Sequence, residues 1–174
     1  MTMDRTKSKG IPHGTFEDEW LCHKGQNEWW YATGYGEGDD GKLYSFQYTL
    51  IKAMVGPLPY YQLQTALTNC TDEDHRVVFC GVKKGDITIS ATKAQVGNEA
   101  CLEKIGRNLK LTMKEDDFSV DLDLTPKKDP VWHCEDGRLQ MRVDKPKEVT
   151  WYYSWTNVPC EGTITIDDKT IALK

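Results

Sequence analysis

Residues 28–31 read Glu28-Trp29-Trp30-Tyr31, which places one carboxylic acid among three large aromatic side chains. In an extended strand successive side chains point to opposite faces, so Glu28 and Trp30 share one face while Trp29 and Tyr31 share the other. An acid is thereby fixed beside an indole ring. Two interpretations follow: an aromatic core, or the floor of a site for an apolar molecule.

Alternation of apolar and polar residues with a period of two recurs along the chain and is typical of half-buried antiparallel strands. Clusters that favour turns separate the runs, at Asp39-Asp40-Gly41, Glu115-Asp116-Asp117, Glu135-Asp136-Gly137 and Asp167-Asp168-Lys169. Residues 94–106 are the best candidate for a single short helix. About ten strands in meander order therefore predict an all-β antiparallel barrel or sandwich, and a barrel of this size can hold one small ligand. The runs are Tyr44–Leu50, Ile87–Ala91, Leu109–Met113, Phe118–Leu124, Leu139–Val143, Val149–Trp155 and Ile164–Leu173.

Length and composition predict one domain. The chain has 174 residues and a net charge of −5, with no basic patch, so nucleic acid is excluded as a partner. Residues 1–15 are polar and are predicted to be a flexible leader, with the domain spanning residues 16–174. No apolar run is long enough to span a membrane. Because residues 1–10 lack the apolar core of a signal peptide, we expect a cytoplasmic protein with six reduced cysteines.

The usual motifs of metal, nucleophile and dinucleotide sites are missing. Cys22-His23 and His133-Cys134 are adjacent pairs, whose side chains point to opposite faces of a strand, so neither pair is expected to chelate a metal. Ser154 lies between two aromatic residues rather than in a Gly-x-Ser-x-Gly elbow. The glycines of residues 34–38 precede a turn rather than a helix. We therefore predict no metal and no cofactor.

The remaining candidate is a set of aromatic residues around one acid. An acid enclosed by indole rings has its charged form disfavoured and could protonate an alkene, while Trp and Tyr faces could stabilise a carbocation. The alternative is that strand aromatics simply fill a core. On the first interpretation the catalytic residue is Glu28, and the ligand-binding residues are Trp30, Tyr48, Trp132, His133, Trp151, Tyr152, Tyr153 and Trp155.

Several motifs follow one another along the chain, namely Glu28-Trp29-Trp30-Tyr31, Gly34, Gly41, Gln62–Thr68, Pro126, Lys128, Pro130, His133, Gly137, Tyr152-Tyr153-Ser154 and Gly162. This ordered set resembles the first domain of the lipocalin-like family of carotenoid 1,2-hydratases, also called hydroxyneurosporene synthases. The resemblance runs from about residue 20 to the end and implies a lipocalin-like (calycin) β-barrel. Members usually carry two such barrels, and they hydrate a carotenoid double bond or catalyse cycloadditions in polyketide pathways.

This chain departs from the family pattern in several places. It stops at Lys174, before a Trp-x-Asp-x-x-Trp-type segment and a second barrel. Gln26-Asn27 replace the histidine that usually precedes the acid, and Cys134 replaces the glycine that usually follows the family's histidine.

Three hypotheses result from the residues and the resemblance. The first is a single barrel that binds a hydrophobic, polyene- or isoprenoid-like molecule. The second is a hydratase or cyclase with Glu28 as the acid and Trp30, Trp151, Tyr152 and Tyr153 shaping its pocket. The third is a non-catalytic half that pairs with a second barrel, or with a second copy through the exposed edge of its last strand.

Overall fold

A computed structural model describes residues 18–24, 26–134, 137–141, 143–144 and 149–174. The leader predicted for residues 1–15 lies outside these ranges, as do Glu135 and Asp136 of one predicted turn.

The described residues are almost entirely β-strand, which confirms the all-β antiparallel class. Two short 3-10 turns, Asp18–Trp20 and Lys84–Asp86, are the helical elements among them. The strands are β1 Glu28–Glu37, β2 Leu43–Val55, β3 Leu58–Asn69, β4 Asp74–Val82, β5 Ile87–Ser90, β6 Lys93–Val96, β7 Ala100–Ile105, β8 Asn108–Lys114, β9 Phe118–Leu124, β10 Val131–Trp132, β11 Arg138–Gln140, β12 Val149–Trp151, β13 Tyr153–Ser154, β14 Cys160–Ile166 and β15 Lys169–Leu173.

Two large antiparallel sheets face each other. Sheet A has the order β1-β2-β3-β4, and sheet B has the order β15-β14-β9-β8-β7-β6-β5. They join where Gly38 bridges Leu173 and where Glu37 and Lys174 exchange backbone hydrogen bonds of 3.3 and 3.1 Å. Strands β10 and β13, and strands β11 and β12, form two small ribbons. Among the described strands β4 is not paired with β5, so the sheets are hydrogen-bonded at one seam rather than closed all round.

The core lies between the two sheets. Leu111, Val120 and Leu122 of sheet B are almost fully buried, as are Tyr48 and Leu50 of sheet A. These positions alternate with exposed or half-buried neighbours, because each strand offers only one face to the interior. The hydroxyl of Tyr48 donates to the carbonyl of Ala94 at 2.8 Å and so ties the two sheets together.

The turns predicted at residues 39–41, 115–117 and 167–169 do connect paired strands, namely β1 to β2, β8 to β9 and β14 to β15. The short helix proposed for residues 94–106 is wrong. That segment forms β6 and β7, joined by a turn in which Gly97 has a φ of +51°. A positive φ suits glycine and lets two strands fold back on each other, and strand pairing outweighs the weak helical pattern.

Two other predicted runs are shorter or divided. Residues 149–155 form β12 and β13 rather than one strand, because each pairs with a different partner, β11 and β10 respectively. Of the run predicted at residues 139–143, Leu139 and Gln140 belong to β11, and Arg142 lies outside the described residues.

Candidate functional site

A cavity of about 730 Å³ lies along the edge of β1 that β2 does not cover. Residues from both faces of β1 line it, which places it at the margin of the strand rather than wholly inside the sheets. Residues 150–160 form the opposite wall. Leu102, Leu109 and Leu124 of sheet B contribute an apolar surface.

Indole and phenol rings make up much of the lining. Trp20 is almost completely buried and packs 6.5 Å, centre to centre, from Trp155. Tyr153 meets Trp155 edge-on at 5.6 Å. The indole N–H of Trp30 donates to the carbonyl of Trp20 at 3.0 Å, which fixes residues 18–20 over the cavity. Such rings offer large apolar surfaces in defined orientations, suited to a flat ligand.

Four polar side chains form a hydrogen-bonded group on the lining, which we call the hydroxyl cluster: Tyr31, His133, Tyr152 and Ser154. The Ser154 hydroxyl lies 2.5 Å from the Tyr31 hydroxyl and 2.9 Å from Nε2 of His133. The Tyr31 and Tyr152 hydroxyls are 3.1 Å apart. When Nε2 accepts, Ser154 donates to His133 and its oxygen accepts from Tyr31, so the four groups form a continuous chain.

Strand pairing explains why these four residues meet. The β10–β13 pairing aligns Val131 with Ser154, and the backbone N–H of His133 donates to the carbonyl of Tyr152 at 2.9 Å. The His133 ring then stacks on the Tyr152 ring at 4.0 Å with an interplanar angle of 14°. Tyr31 arrives from the outward face of β1. The sequence pattern singled out each segment but could not show that Ser154, passed over for lack of a nucleophile elbow, has an imidazole partner.

Burial raises the pKa of two tyrosine phenols on the cavity lining. Desolvation is the main cause that raises the pKa of Tyr31; the hydrogen bond to Ser154 opposes the rise and Tyr152 adds to it. Desolvation likewise raises the pKa of Tyr153 far above its ordinary value. A phenol at its ordinary pKa of about 10 is already protonated at neutral pH, and the raised pKa values keep both phenols as hydrogen-bond donors.

Glu28 lines the same cavity, but indole rings are not its main partners. Its carboxylate accepts from Lys52 Nζ at 2.7 Å and from the backbone N–H of His23 at 2.9 and 3.0 Å. His23 Nδ1 lies 2.6 Å from the same carboxylate, and Lys52 also donates to the carbonyl of His23. The expected apolar enclosure is thus corrected: an almost fully buried ammonium faces the acid, and the pair anchors residues 18–24 to sheet A.

The structure brings most of the predicted site residues to one place. Tyr48 and Trp132 do not line the cavity: Tyr48 is a core residue, and Trp132 packs on Tyr153 at 5.0 Å between ring centres. Tyr31 and Ser154 belong to the site and were missing from the predicted set, although both lie in quoted motifs. The predicted residues on the cavity are Glu28, Trp30, His133, Trp151, Tyr152, Tyr153 and Trp155.

Other kinds of site find little support within the described ranges. There, no group of three or more His, Cys, Asp or Glu side chains is placed to hold a metal ion. No helix in that part of the chain is long and apolar enough to cross a membrane. All six cysteines are free thiols.

A family model described as AttH-like matches residues 13–174, nearly the whole chain. The chain belongs to the AttH-like family. No curated protein matches this AttH-like chain. Its fold is similar to that of an AttH protein from Nitrosomonas europaea, with a TM-score of 0.75 and 18% identity over 99% of this chain and 52% of the other. It is also similar to kievitone hydratase from Nectria haematococca, with a TM-score of 0.73 and 16% identity over 96% and 49%.

These comparisons establish family and fold. The AttH-like chain spans about half the length of both solved structures. The resemblance read from the motifs is confirmed at the level of an AttH-like, hydratase-like fold, and the narrower carotenoid hydratase assignment stays a prediction.

Proposed function

We propose that this AttH-like domain binds an apolar, conjugated small molecule of polyene or isoprenoid type in the cavity beside β1. The observation that carries the proposal is a volume of about 730 Å³ with aromatic walls and the hydroxyl cluster on its lining. Ligand pockets in proteins have this size and combine an apolar lining with a few convergent polar groups.

The polar groups favour a ligand that carries an oxygen atom. The hydroxyl cluster offers donors and acceptors next to rings that would contact a flat chain. In addition, the indole N–H of Trp20, on the lining, is buried and has no hydrogen-bond partner within the described residues. A buried donor without a partner costs free energy, and a ligand carbonyl or hydroxyl would remove that cost.

The binding proposal is tested by titrating tryptophan fluorescence with retinol, retinoic acid and long-chain fatty acids. Saturable quenching is expected, because Trp20, Trp29, Trp30, Trp151 and Trp155 line the cavity. Ala32→Phe places a ring into the cavity and should weaken binding about tenfold or more, since filling a pocket removes the ligand's apolar contacts. Val77→Phe, on an exposed part of β4, is the matched control. No saturable response across the panel would refute the proposal.

Acid–base catalysis on a double bond, as in a hydro-lyase or cyclase, is the second candidate. The chain from Tyr31 through Ser154 to His133 favours it, because such a chain can carry a proton to or from an imidazole. In a hydration, a proton adds to one alkene carbon, the oxygen of water adds to the other, and the proton that water loses returns to the base. Kievitone hydratase bears the name of such a reaction.

Catalysis is tested by incubating the protein with linear polyenes and following mass by mass spectrometry. A hydratase adds the mass of one water, and a cyclase gives an isomer of altered retention. His133→Ala should abolish turnover if the hydroxyl cluster is catalytic, whereas Glu28→Gln should abolish it if the sequence-based assignment of the acid is right. If the substrate is unchanged, the catalytic candidate is refuted and the binding proposal remains.

The third candidate is a half-site completed by a second barrel. The fraction of the two solved structures that this chain covers supports it. Size-exclusion chromatography with light scattering tests for self-association, and a strictly monomeric chain that binds the panel would exclude a second copy as the missing half.

A further inference from the structure

The hairpin of β2 and β3 extends beyond the strands on either side of it. Strand β1 begins at Glu28, opposite Lys52, and β4 ends at Val82, opposite Tyr61. Residues 53–60, which we call the finger, therefore form a two-stranded ribbon with no flanking strand from sheet A. Its rungs are Ala53 with Tyr60, Met54 with Pro59, and Val55 with Leu58.

The finger is apolar and its tip is uncovered, while nearer its base the backbone N–H of Met54 donates to the side-chain oxygen of Asn27 at 2.8 Å. Its sequence, Ala-Met-Val-Gly-Pro-Leu-Pro-Tyr, contains no charged residue. Residues 55–60 are all exposed, and Val55, Leu58 and Tyr60 expose 66%, 68% and 46% of their surface. Side chains of this type, with a tyrosine at the margin, suit the boundary between lipid headgroups and acyl chains.

Exposed lysines stand on both sides of the finger's base. Lys83 and Lys84 follow directly after Val82, next to the rung that contains Tyr60. On the β1 side Lys24 follows His23, whose carbonyl accepts from Lys52. The first acidic residue after the lysine pair is Asp86, two positions beyond Lys84. An apolar tip framed by lysines is complementary to an anionic bilayer, in which phosphates surround an apolar interior.

A second exposed apolar pair lacks this frame. Val77 and Phe79 of β4 expose 57% and 64% of their surface, but the residues opposite them on β3 are Ala66 and Gln64. This pair therefore has a different setting from the finger, and it serves as the comparison for a general apolar contact.

We propose that the finger inserts into the interfacial layer of an anionic membrane while Lys24, Lys83 and Lys84 contact lipid phosphates. His23 and Glu28, at the finger's base, also line the cavity. A bilayer-dissolved ligand would therefore reach the cavity by a short path. Membrane docking itself needs only the finger and the lysines, so it can be tested independently of ligand binding.

Vesicle flotation tests the proposal directly. The full chain is mixed with vesicles of phosphatidylcholine alone, or of equal parts phosphatidylcholine and phosphatidylserine, and the bound fraction is measured. Binding is expected to the anionic vesicles and to weaken as salt is raised, because the lysine contribution is screened. Absence of binding to either composition, or equal binding to both, would overturn the proposal.

Variants locate the contact. Leu58→Asp should weaken binding about tenfold or more, since it removes an apolar side chain that membrane insertion would bury. Lys83→Glu with Lys84→Glu should weaken binding to anionic vesicles to a similar degree, about tenfold. Phe79→Asp, on the other apolar pair, should leave binding unchanged. If Phe79→Asp abolishes binding and Leu58→Asp does not, the finger is not the contact.

The same variants distinguish membrane docking from a contact between the finger and another protein. Leu58 is exposed, so thermal unfolding of Leu58→Asp should match the parent and exclude misfolding as the cause of lost binding. If the parent ignores vesicles but self-associates, and Leu58→Asp makes it monomeric, the finger binds protein and the membrane proposal is wrong.

Discussion

At the scale of single residues, the polar end of the cavity depends on two hydroxyl groups 123 positions apart in sequence, those of Tyr31 and Ser154. Each lies in a motif that stands out by its aromatic content. Their contact could not be predicted from sequence, because it requires the pairing of β10 with β13 and the position of that ribbon beside β1. The aromatic lining was predictable, and the hydrogen-bond chain was not.

Tyr31→Phe should separate polar from apolar recognition. The change keeps the ring and removes the hydroxyl that lies between Tyr152 and Ser154. Affinity for a retinoid that carries a carboxyl or hydroxyl group should fall several-fold, by roughly the 1 kcal/mol of one net hydrogen bond, while affinity for a hydrocarbon polyene should not change. Fluorescence titration of both ligands gives the comparison. Equal losses for both would mean that the hydroxyl does not contact the ligand.

Lys52→Met should destabilise the fold by about 3 kcal/mol, because it leaves the carboxylate of Glu28 buried without its ammonium partner. The double variant Lys52→Met with Glu28→Gln removes both charges and should recover much of that loss. Urea unfolding measures both. If the single variant is as stable as the parent, the ion pair does not anchor residues 18–24 in the way described.

At the scale of elements, the alternating pattern predicted most strands and turns because each strand has one buried face. It failed where the spacing of apolar residues fitted both a helix and a strand, and where one alternating run pairs with two different strands. Residues 94–106 contain apolar residues at mixed spacings, and the pairing of β6 with β5 and β7, and of β7 with β8, shows that they are strands. Residues 149–155 alternate throughout, yet they divide between two ribbons because their partners β10 and β11 lie apart in sequence.

Gly162 is predicted to be essential to β14. Its φ is +147°, and a Cβ there would lie 2.2 Å from the carbonyl oxygen of Asp121 on the neighbouring β9. Gly162→Ala should therefore destabilise the protein by about 3 kcal/mol or prevent folding, since two paired backbones cannot easily separate. Gly85→Ala, where a Cβ meets nothing within 4 Å, is the control and should change stability little. Similar unfolding midpoints for the two variants would contradict this account of β14.

At the scale of the whole molecule, Arg76 links the open edge of sheet A to two turns of sheet B. Its guanidinium donates to both carboxylate oxygens of Asp167 at 2.7 Å and to the carbonyl of Asp117 at 2.8 Å. Arg76 thus connects β4, which is not paired with β5, to the β8–β9 and β14–β15 turns of sheet B. The lone Arg76 in the β4 sequence gave no sign of this role, because its partners lie in distant turns.

This link predicts a pH dependence of stability. The hydrogen bonds from Arg76 lower the pKa of Asp167 below its ordinary value. A carboxyl group whose pKa is lowered by folding stabilises the protein above its unfolded-state pKa, and this contribution is lost as pH falls through the folded-state pKa. The midpoint temperature of thermal unfolding should therefore decrease when the pH is lowered below about 4. In Arg76→Gln the part of this drop that Asp167 causes should disappear; an identical pH profile would rule the link out.

The candidate site depends on the arrangement of the whole molecule, which the sequence alone does not show. Composition predicted no nucleic-acid partner, and the motifs indicated the family, yet the cavity exists only because β1 has a free edge that residues 150–160 face across a gap. Residues on both faces of β1 could therefore join one site, although alternation alone would assign Trp30 and Tyr31 to separate surroundings.

Photochemical labelling tests the central claim, a ligand-binding cavity beside β1, most directly. A long-chain fatty acid carrying a diazirine would be bound, irradiated and located by mass spectrometry of peptides. The account predicts labels within residues 28–35 and 150–160, with competition by unlabelled retinoic acid and loss of labelling in Ala32→Phe. Labels confined to the outer surface of β4 or to the finger, or labelling without competition, would contradict it.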